Sequence, residues 1–115
     1  MQFKLLLVFV DKDKTDAVID AARDAGATGA TILSDARGQG LERRFGLFGL
    51  EVLSPRDVIM ILVENRRSPS VLKAVEIAGQ LDESLETGLA LLIDVEQAVG
   101  LSRHIEVLAK EIPPA

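Results

Sequence analysis

The residues best suited to chemistry lie in one long segment between two predicted strands. Two glycines flank one amide side chain there, and three arginines surround them. Backbone N–H groups of a glycine-containing turn and guanidinium groups both bind anions. The pattern predicts an anion site, with a flexible loop root and solvated arginines as the alternative. The candidate ligand-binding residues are Arg37, Gly38, Gln39, Gly40, Arg43 and Arg44.

The second half of this segment is apolar. Most connections in compact domains have about four to six residues, whereas this one covers residues 36–55. We expect a mobile loop that becomes ordered against a ligand, a neighbouring subunit or a partner protein. Its apolar side chains either pack on a neighbouring subunit or form the tip that docks a partner, and packing is favoured for some of them. These docking-loop residues are Phe45, Leu47, Phe48 and Leu50.

Other polar residues give weaker candidates for metal binding. Asp82, Glu83 and Glu86 offer oxygen ligands, but their spacing matches no calcium loop, so a solvated acidic turn is favoured. His104 is the only histidine and the chain has no cysteine, which argues against a structural zinc site. Ser102 and His104 share one short segment and are not placed as nucleophile and base. We therefore predict no metal site and no catalytic residue.

Two charged positions on the third predicted strand could belong to an enzyme or an anion site. Asp57 and Glu64 are the carboxylates that an enzyme would use, but no paired acid and base is visible. Glu64 also begins the charged turn Glu64-Asn65-Arg66-Arg67, for which a solvated strand-to-helix turn is the favoured interpretation over an anion site. An enzyme is the least favoured class.

Composition narrows the remaining possibilities. The 115 residues suit a single domain, and the net charge of −5 argues against nucleic-acid binding. No window has the roughly 20 apolar residues of a membrane-spanning helix. No secretory signal is visible and cysteine is absent. We expect a cytoplasmic protein.

Hydrophobic periodicity predicts six elements in the order βαββαβ. Predicted strands cover residues 3–10, 28–33, 57–64 and 89–95, and predicted helices cover 12–25 and 68–80. Asp13 or Thr15 is expected to cap the first helix, Gly26 to end it in a left-handed conformation, and Ser68-Pro69 to open the second. This order indicates an α+β, ferredoxin-like sandwich: an antiparallel sheet with both helices on one face.

The strands are apolar on both faces. With helices on one face only, each strand should alternate apolar and polar residues, yet the strands contain the runs LLLVFV, VIMILV and LALLI. The helix-free face must therefore be covered as well. A second copy of the chain is the simplest cover, so the pattern predicts a homo-oligomer.

A βαββαβ chain with a long loop between its second and third strands resembles the P-II signal-transduction family. The resemblance covers about residues 1–103. It rests on Phe3-Lys4-Leu5, Ala25-Gly26-Ala27, Gly29-Ala30-Thr31, Gly38-Gln39-Gly40 and Asp94-Val95-Glu96-Gln97-Ala98.

The resemblance implies a regulatory protein without enzymatic activity. It implies a homotrimer whose inter-subunit clefts bind ATP, ADP or AMP as an effector, and whose long loops control an enzyme or a membrane transporter. It also adds Gly88, in the connection that holds phosphates, and Arg103, the basic residue after the last strand, to the ligand-binding set. Residues 104–115 would form a C-terminal tail.

The chain departs from that family at three places. It has no tyrosine, so the nucleotidyl modification of a loop tyrosine is absent. The basic residues expected after the last strand reduce to Arg103, beside His104. The connection at residues 81–88 has three acids and no lysine, and carboxylates repel phosphates. Another ligand, or a weaker nucleotide mode, is therefore expected. The alternative function is a CutA-type divalent-metal tolerance trimer, against which the single histidine argues.

Overall fold

The structure, a computed structural model, describes residues 2–36, 56–81, 88–101, 103, 105 and 106. The described chain runs βαββαβ, as the hydrophobic pattern predicted. The predicted loop, apart from Ala36, and most of the predicted tail lie outside the described residues. The elements are β1 (Phe3–Asp11), α1 (Thr15–Asp24), β2 (Thr31–Ala36), β3 (Arg56–Glu64), α2 (Ser68–Ala78) and β4 (Gly88–Asp94).

The four strands form one antiparallel sheet in the order β2-β3-β1-β4. β1 lies between β3 and β4, pairing Leu7 with Met60 on one side and with Leu91 on the other. The two central strands have nine residues each, and the edge strands are shorter. This is the ferredoxin-like α+β fold that the sequence predicted.

The hydrophobic core lies between the sheet and the two helices. Alternate residues of the central strands point into it, as the two-residue period of a strand requires. The helices contribute small or β-branched side chains, which allow close approach to the sheet. The largest fully buried side chains are Leu6, Val8, Val10, Val18, Ile59, Ile61, Val63, Val71 and Val75.

The start of α1 differs from the prediction. A 3-10 turn over Lys12–Lys14 precedes it, and no side chain caps it. Thr15 instead donates its hydroxyl to Asp57 Oδ2 at 2.6 Å, beneath the helix. The expected cap by Asp13 or Thr15 is therefore wrong, because a tertiary partner takes the hydroxyl.

The end of α1 is as predicted. Gly26 has φ +120°, and the N–H of Ala27 donates to the Ala22 carbonyl at 2.9 Å. This reversal of the chain closes the last turn of the helix. Gly26 permits it because a side chain is strained at that φ.

β2 begins three residues later than predicted. Its first pair joins Thr31 to Met60, and the register shifts between Leu33 and Ala36. Thr28, Gly29 and Ala30 come before this pairing, in a segment without regular secondary structure. The predicted strand over 28–33 is thus displaced, because pairing with β3 fixes its bounds.

Hydrogen bonds join the two helices at both ends. Arg67 Nη1 donates to the Gly26 carbonyl at 2.7 Å, next to the start of α2. At the other end, Lys14 Nζ donates to Gln80 Oε1 at 2.5 Å. Val71, Leu72, Val75 and Ala78 of α2 pack on the hydrophobic core, whereas Ile77 is 67% exposed.

An ion pair closes the far end of the β1–β4 ladder. Lys4 Nζ lies 2.7 Å from Asp94 Oδ1. The hydrogen bond and charge of Lys4 lower the pKa of Asp94 below its usual value.

Candidate functional site

The face of the sheet without helices is apolar across three strands. Strand pairing aligns odd-numbered residues of β1 with even-numbered residues of β3 and odd-numbered residues of β4. Most of these side chains are only half-buried in the single chain. We call this surface the helix-free face. Its members are Leu5, Leu7, Phe9, Val58, Met60, Leu62, Leu89, Leu91 and Ile93.

A cavity of about 520 Å³ opens at one margin of the helix-free face. Its floor is formed by strand residues of β1 and β3, and the segment leading into β2 forms one side. We call it the edge cavity. It is lined by Leu5, Thr28, Gly29, Ala30, Thr31, Met60, Leu62 and Leu101.

The lining of the edge cavity suits a small organic molecule with a flat apolar part. Leu5, Met60 and Leu62 give an apolar floor, and Thr28 and Thr31 give hydroxyl groups at its side. None of these lining residues is charged. Small-molecule sites are mostly apolar clefts of about 300–1,000 Å³ with a few polar groups for orientation, so both size and lining are suitable.

Two polar pairs lie where β1 and β3 meet the predicted loop. Arg56 Nη1 lies 2.6 Å from Asp11 Oδ1 on the helix-free side, and the Arg56 side chain is 4% exposed. Asp57 faces the helices and accepts the hydroxyl of Thr15. Among the residues that the structure describes, Arg56 Nε and Asp57 Oδ1 have no hydrogen-bond partner.

The two candidate acids of an enzyme do not form a pair. Asp57 and Glu64 lie at opposite ends of β3, about 23 Å apart at the usual rise of a strand. Each has its own structural partner: Thr15 for Asp57, and Arg66 for Glu64. Their placement gives no acid–base couple.

The turn after β3 is less solvated than predicted. Glu64 is 7% exposed. Its carboxylate accepts hydrogen bonds from the backbone N–H and from Nε of Arg66, both at 2.9 Å. Glu64 thus caps the 3-10 turn Asn65–Arg67 that leads into α2, and the prediction of a solvated turn is wrong for this carboxylate.

Two of the predicted ligand-binding residues lie within the described part of the chain. Gly88 starts β4 with φ +129°, and a Cβ there would lie far inside van der Waals contact of the Phe9 carbonyl oxygen. Close packing of β1 against β4 therefore requires glycine there, whatever the ligand. Arg103 is exposed. Neither residue lines the edge cavity.

The remaining predicted site residues lie outside the described residues. These are the anion-site candidates of segment 37–44, the docking residues of segment 45–50, the acids of segment 82–86, and Ser102 and His104. The sequence reasoning in turn missed the edge cavity. Its one local signal was Gly29-Ala30-Thr31, which carried only the family resemblance.

Two kinds of feature are absent from the described residues. No group of three or more histidine, cysteine or acidic residues that could hold a metal ion occurs among them. No helix in the described ranges is long and apolar enough to span a membrane.

Comparison with solved structures identifies proteins with the same fold. A protein of unknown function from Pediococcus pentosaceus ATCC 25745 matches with TM-score 0.61 and 22% identity, over 85% of this chain and 96% of that one. Arabidopsis thaliana PII bound to citrate matches with TM-score 0.62 and 16% identity, over 82% and 75%. CPII bound to ADP, AMP and acetate, from Thiomonas intermedia K12, matches with TM-score 0.62 and 14% identity, over 84% and 88%.

Sequence comparison gives the family. No curated protein sequence matches the chain, but the family model "Nitrogen regulatory protein P-II" matches residues 3–104. That match covers every described strand and both helices, and the solved structures share their arrangement. The chain therefore belongs to the P-II family of regulatory signal-transduction proteins.

Proposed function

We propose that this P-II protein is a homotrimeric sensor that binds an adenine nucleotide in the edge cavity and signals through its long loop to a partner protein. The observation that carries the proposal is the position of the edge cavity, at the margin of the helix-free face. When copies pack through that face, each edge cavity lies beside a neighbouring subunit. The neighbour can then complete the site.

The helix-free face supports the trimer. Half-buried leucine, phenylalanine and methionine side chains cover its centre. Monomeric proteins rarely expose an apolar patch of this extent. Packing against further copies removes it from water and contributes about 25 cal/mol per Å² of apolar surface.

The chemistry of the edge cavity supports an adenine base. A planar heterocycle fits the apolar floor of Leu5, Met60 and Leu62, while the Thr31 hydroxyl can bond a ring nitrogen. CPII from Thiomonas intermedia K12, whose structure holds ADP and AMP, shares this fold. The anion-site candidates of segment 37–44, together with Gly88 and Arg103, are proposed to hold the phosphate end.

The loop supports an output to a partner. Segment 45–50 is rich in leucine and phenylalanine. This suits docking to a cytoplasmic enzyme or to the cytoplasmic side of a membrane transporter. Effector binding controls the partner only if the effector binds two loop conformations with different affinities.

The test combines mass measurement with a thermal-shift screen. Light scattering should give three copies of the 12.4 kDa chain. The screen uses ATP, ADP, AMP, 2-oxoglutarate and bicarbonate. A ligand at 100 times its dissociation constant stabilises the fold by about 2.7 kcal/mol, which is a shift of several degrees. A monomer, or no response to any nucleotide, would contradict the proposal.

A matched pair of variants locates the nucleotide. Thr31→Val removes a hydroxyl from the edge cavity, whereas Ser70→Ala removes one from the exposed side of α2. Loss of one hydrogen bond of about 0.5–1.5 kcal/mol weakens binding about 2- to 12-fold, so we expect this loss for Thr31→Val only. Equal affinities for the two variants would place the nucleotide elsewhere.

A further inference from the structure

A second, smaller cavity lies behind the edge cavity, on the helix side of the sheet. Its volume is about 60 Å³, and we call it the helix-side cavity. Thr28, Gly29 and Ala30 line both cavities, so these three residues form a wall between them. The other residues that line the helix-side cavity are Ile19, Ala22, Arg23, Ala27 and Ile61.

The wall is held at its two ends. On one side, the N–H of Ala27 donates to the Ala22 carbonyl at 2.9 Å, and Ala27 is buried. On the other side, Thr31 pairs with Met60 in the sheet. Only the three wall residues lie between these fixed points.

The middle of the wall has space around it. All three wall residues are exposed, and a methyl group placed at Gly29 would meet no atom within 4 Å. The helix-side cavity has about 60 Å³ of space, which is more than a single water needs, so it can accept a displaced wall.

We infer that the wall moves into the helix-side cavity when a ligand occupies the edge cavity, which couples the effector to the packing of α1. This inference rests on the proposed function for its ligand. A ligand that contacts Thr28–Thr31 from the helix-free face presses the wall toward Ile19 and Ile61. These two side chains line the helix-side cavity and not the edge cavity.

Methyl NMR on the wild-type protein tests the coupling directly. AMP is added as the probe, and methyl signals are followed. Signals of Ile19 and Ile61 should shift with the same midpoint as binding. Leu92, which lies on β4 at the edge of the sheet opposite β2 and lines neither cavity, should not shift. AMP binding that leaves Ile19 and Ile61 unchanged would overturn the inference.

Filling the helix-side cavity is the second test. Ile19→Phe adds volume where Ile19 is only half-buried, so folding should tolerate it, and Ile19→Leu is the volume-matched control. If the filled cavity lowers the population of the displaced wall tenfold relative to the wild type, AMP affinity falls about tenfold. Equal AMP affinities for the two variants would contradict the coupling.

A ligand-free measurement separates this inference from the proposed function. In Ile19→Phe, the amide order parameters of Gly29 and Ala30 should rise toward the value of about 0.85 that is typical of rigid backbone. In Ile19→Leu they should stay as in the wild type. Failure of AMP to bind would count against the proposed function, whereas equal order parameters in both variants would refute the moving wall itself.

Discussion

Replacing Gly88 by alanine should be the most damaging glycine-to-alanine change among the described glycines. Gly88 has φ +129°, a conformation that is strained for any residue with a Cβ, and the new Cβ would also overlap the carbonyl oxygen of Phe9. Strain of this kind costs about 1–3 kcal/mol. Forcing extra volume into a packed site costs about 1–3 kcal/mol more. We therefore expect a loss of about 2–6 kcal/mol from the free energy of unfolding, against a typical total of about 5–15.

Two other glycines separate the cost of backbone strain from the cost of the overlap with Phe9. Gly100 has φ +90°, but a Cβ added there would meet no atom within 4 Å, so alanine should cost the strain alone, about 1–3 kcal/mol. Gly29 has neither a positive φ nor a close neighbour, so alanine there should change stability by no more than about 1 kcal/mol. Urea unfolding at one fixed protein concentration measures all three. If Gly88→Ala loses no more stability than Gly100→Ala, the close approach of β4 to Phe9 is not a packing constraint.

Three further predictions concern charge and the helix-free face. Arg56→Met should change the free energy of unfolding by no more than about 1 kcal/mol, because Asp11 is 40% exposed and can be hydrated once its partner is lost. A loss of about 3 kcal/mol or more in urea unfolding would show that Asp11 needs the guanidinium group. Because the pKa of Asp94 is lowered in the folded protein, its pairing with Lys4 stabilises the fold fully at a pH above the usual aspartate pKa of 3.8. This stabilisation is lost as the pH falls through the lowered pKa of Asp94. At neutral pH and low salt, the wild type should therefore be more stable than Asp94→Asn, and the two should become equally stable in acid. A difference in the free energy of unfolding that stays constant down to about pH 2 would contradict the pairing. Leu7→Asp puts a charge at the centre of the helix-free face and should give monomers by light scattering, while an intact trimer would show that the copies pack elsewhere.

The order of elements could be predicted from the sequence because it depends on local periodicity. The apolar strands, and the end of α1 at Gly26, were predicted from local sequence, and no tertiary contact changes them. The bounds of β2 depend instead on pairing with Met60, which no local pattern contains. Thr15 looked like a helix cap, and its hydroxyl was taken by Asp57, 42 residues away.

The edge cavity was beyond prediction for the same reason. Leu5 and Leu62 meet only through the antiparallel register of β1 and β3, and the segment before β2 reaches them from a third part of the chain. Gly88 shows a second limit of sequence reasoning. Its assignment to ligand binding comes from its place in a family pattern and stays a prediction, while the structure adds a packing role that sequence spacing cannot reveal.

The central position of β1 has a consequence for synthesis. β1 emerges from the ribosome before the other three strands, yet its neighbours in the sheet are β3 and β4, which come much later in the chain. About 50 residues separate the end of β1 from the end of β3, and at roughly 5–20 residues per second their synthesis takes several seconds. During that time an apolar strand has no partner, which is the condition under which chains aggregate. Lys4 and Asp11 place a charge at each end of the apolar run of this strand. Such flanking charges oppose aggregation before β3 and β4 are available to pair.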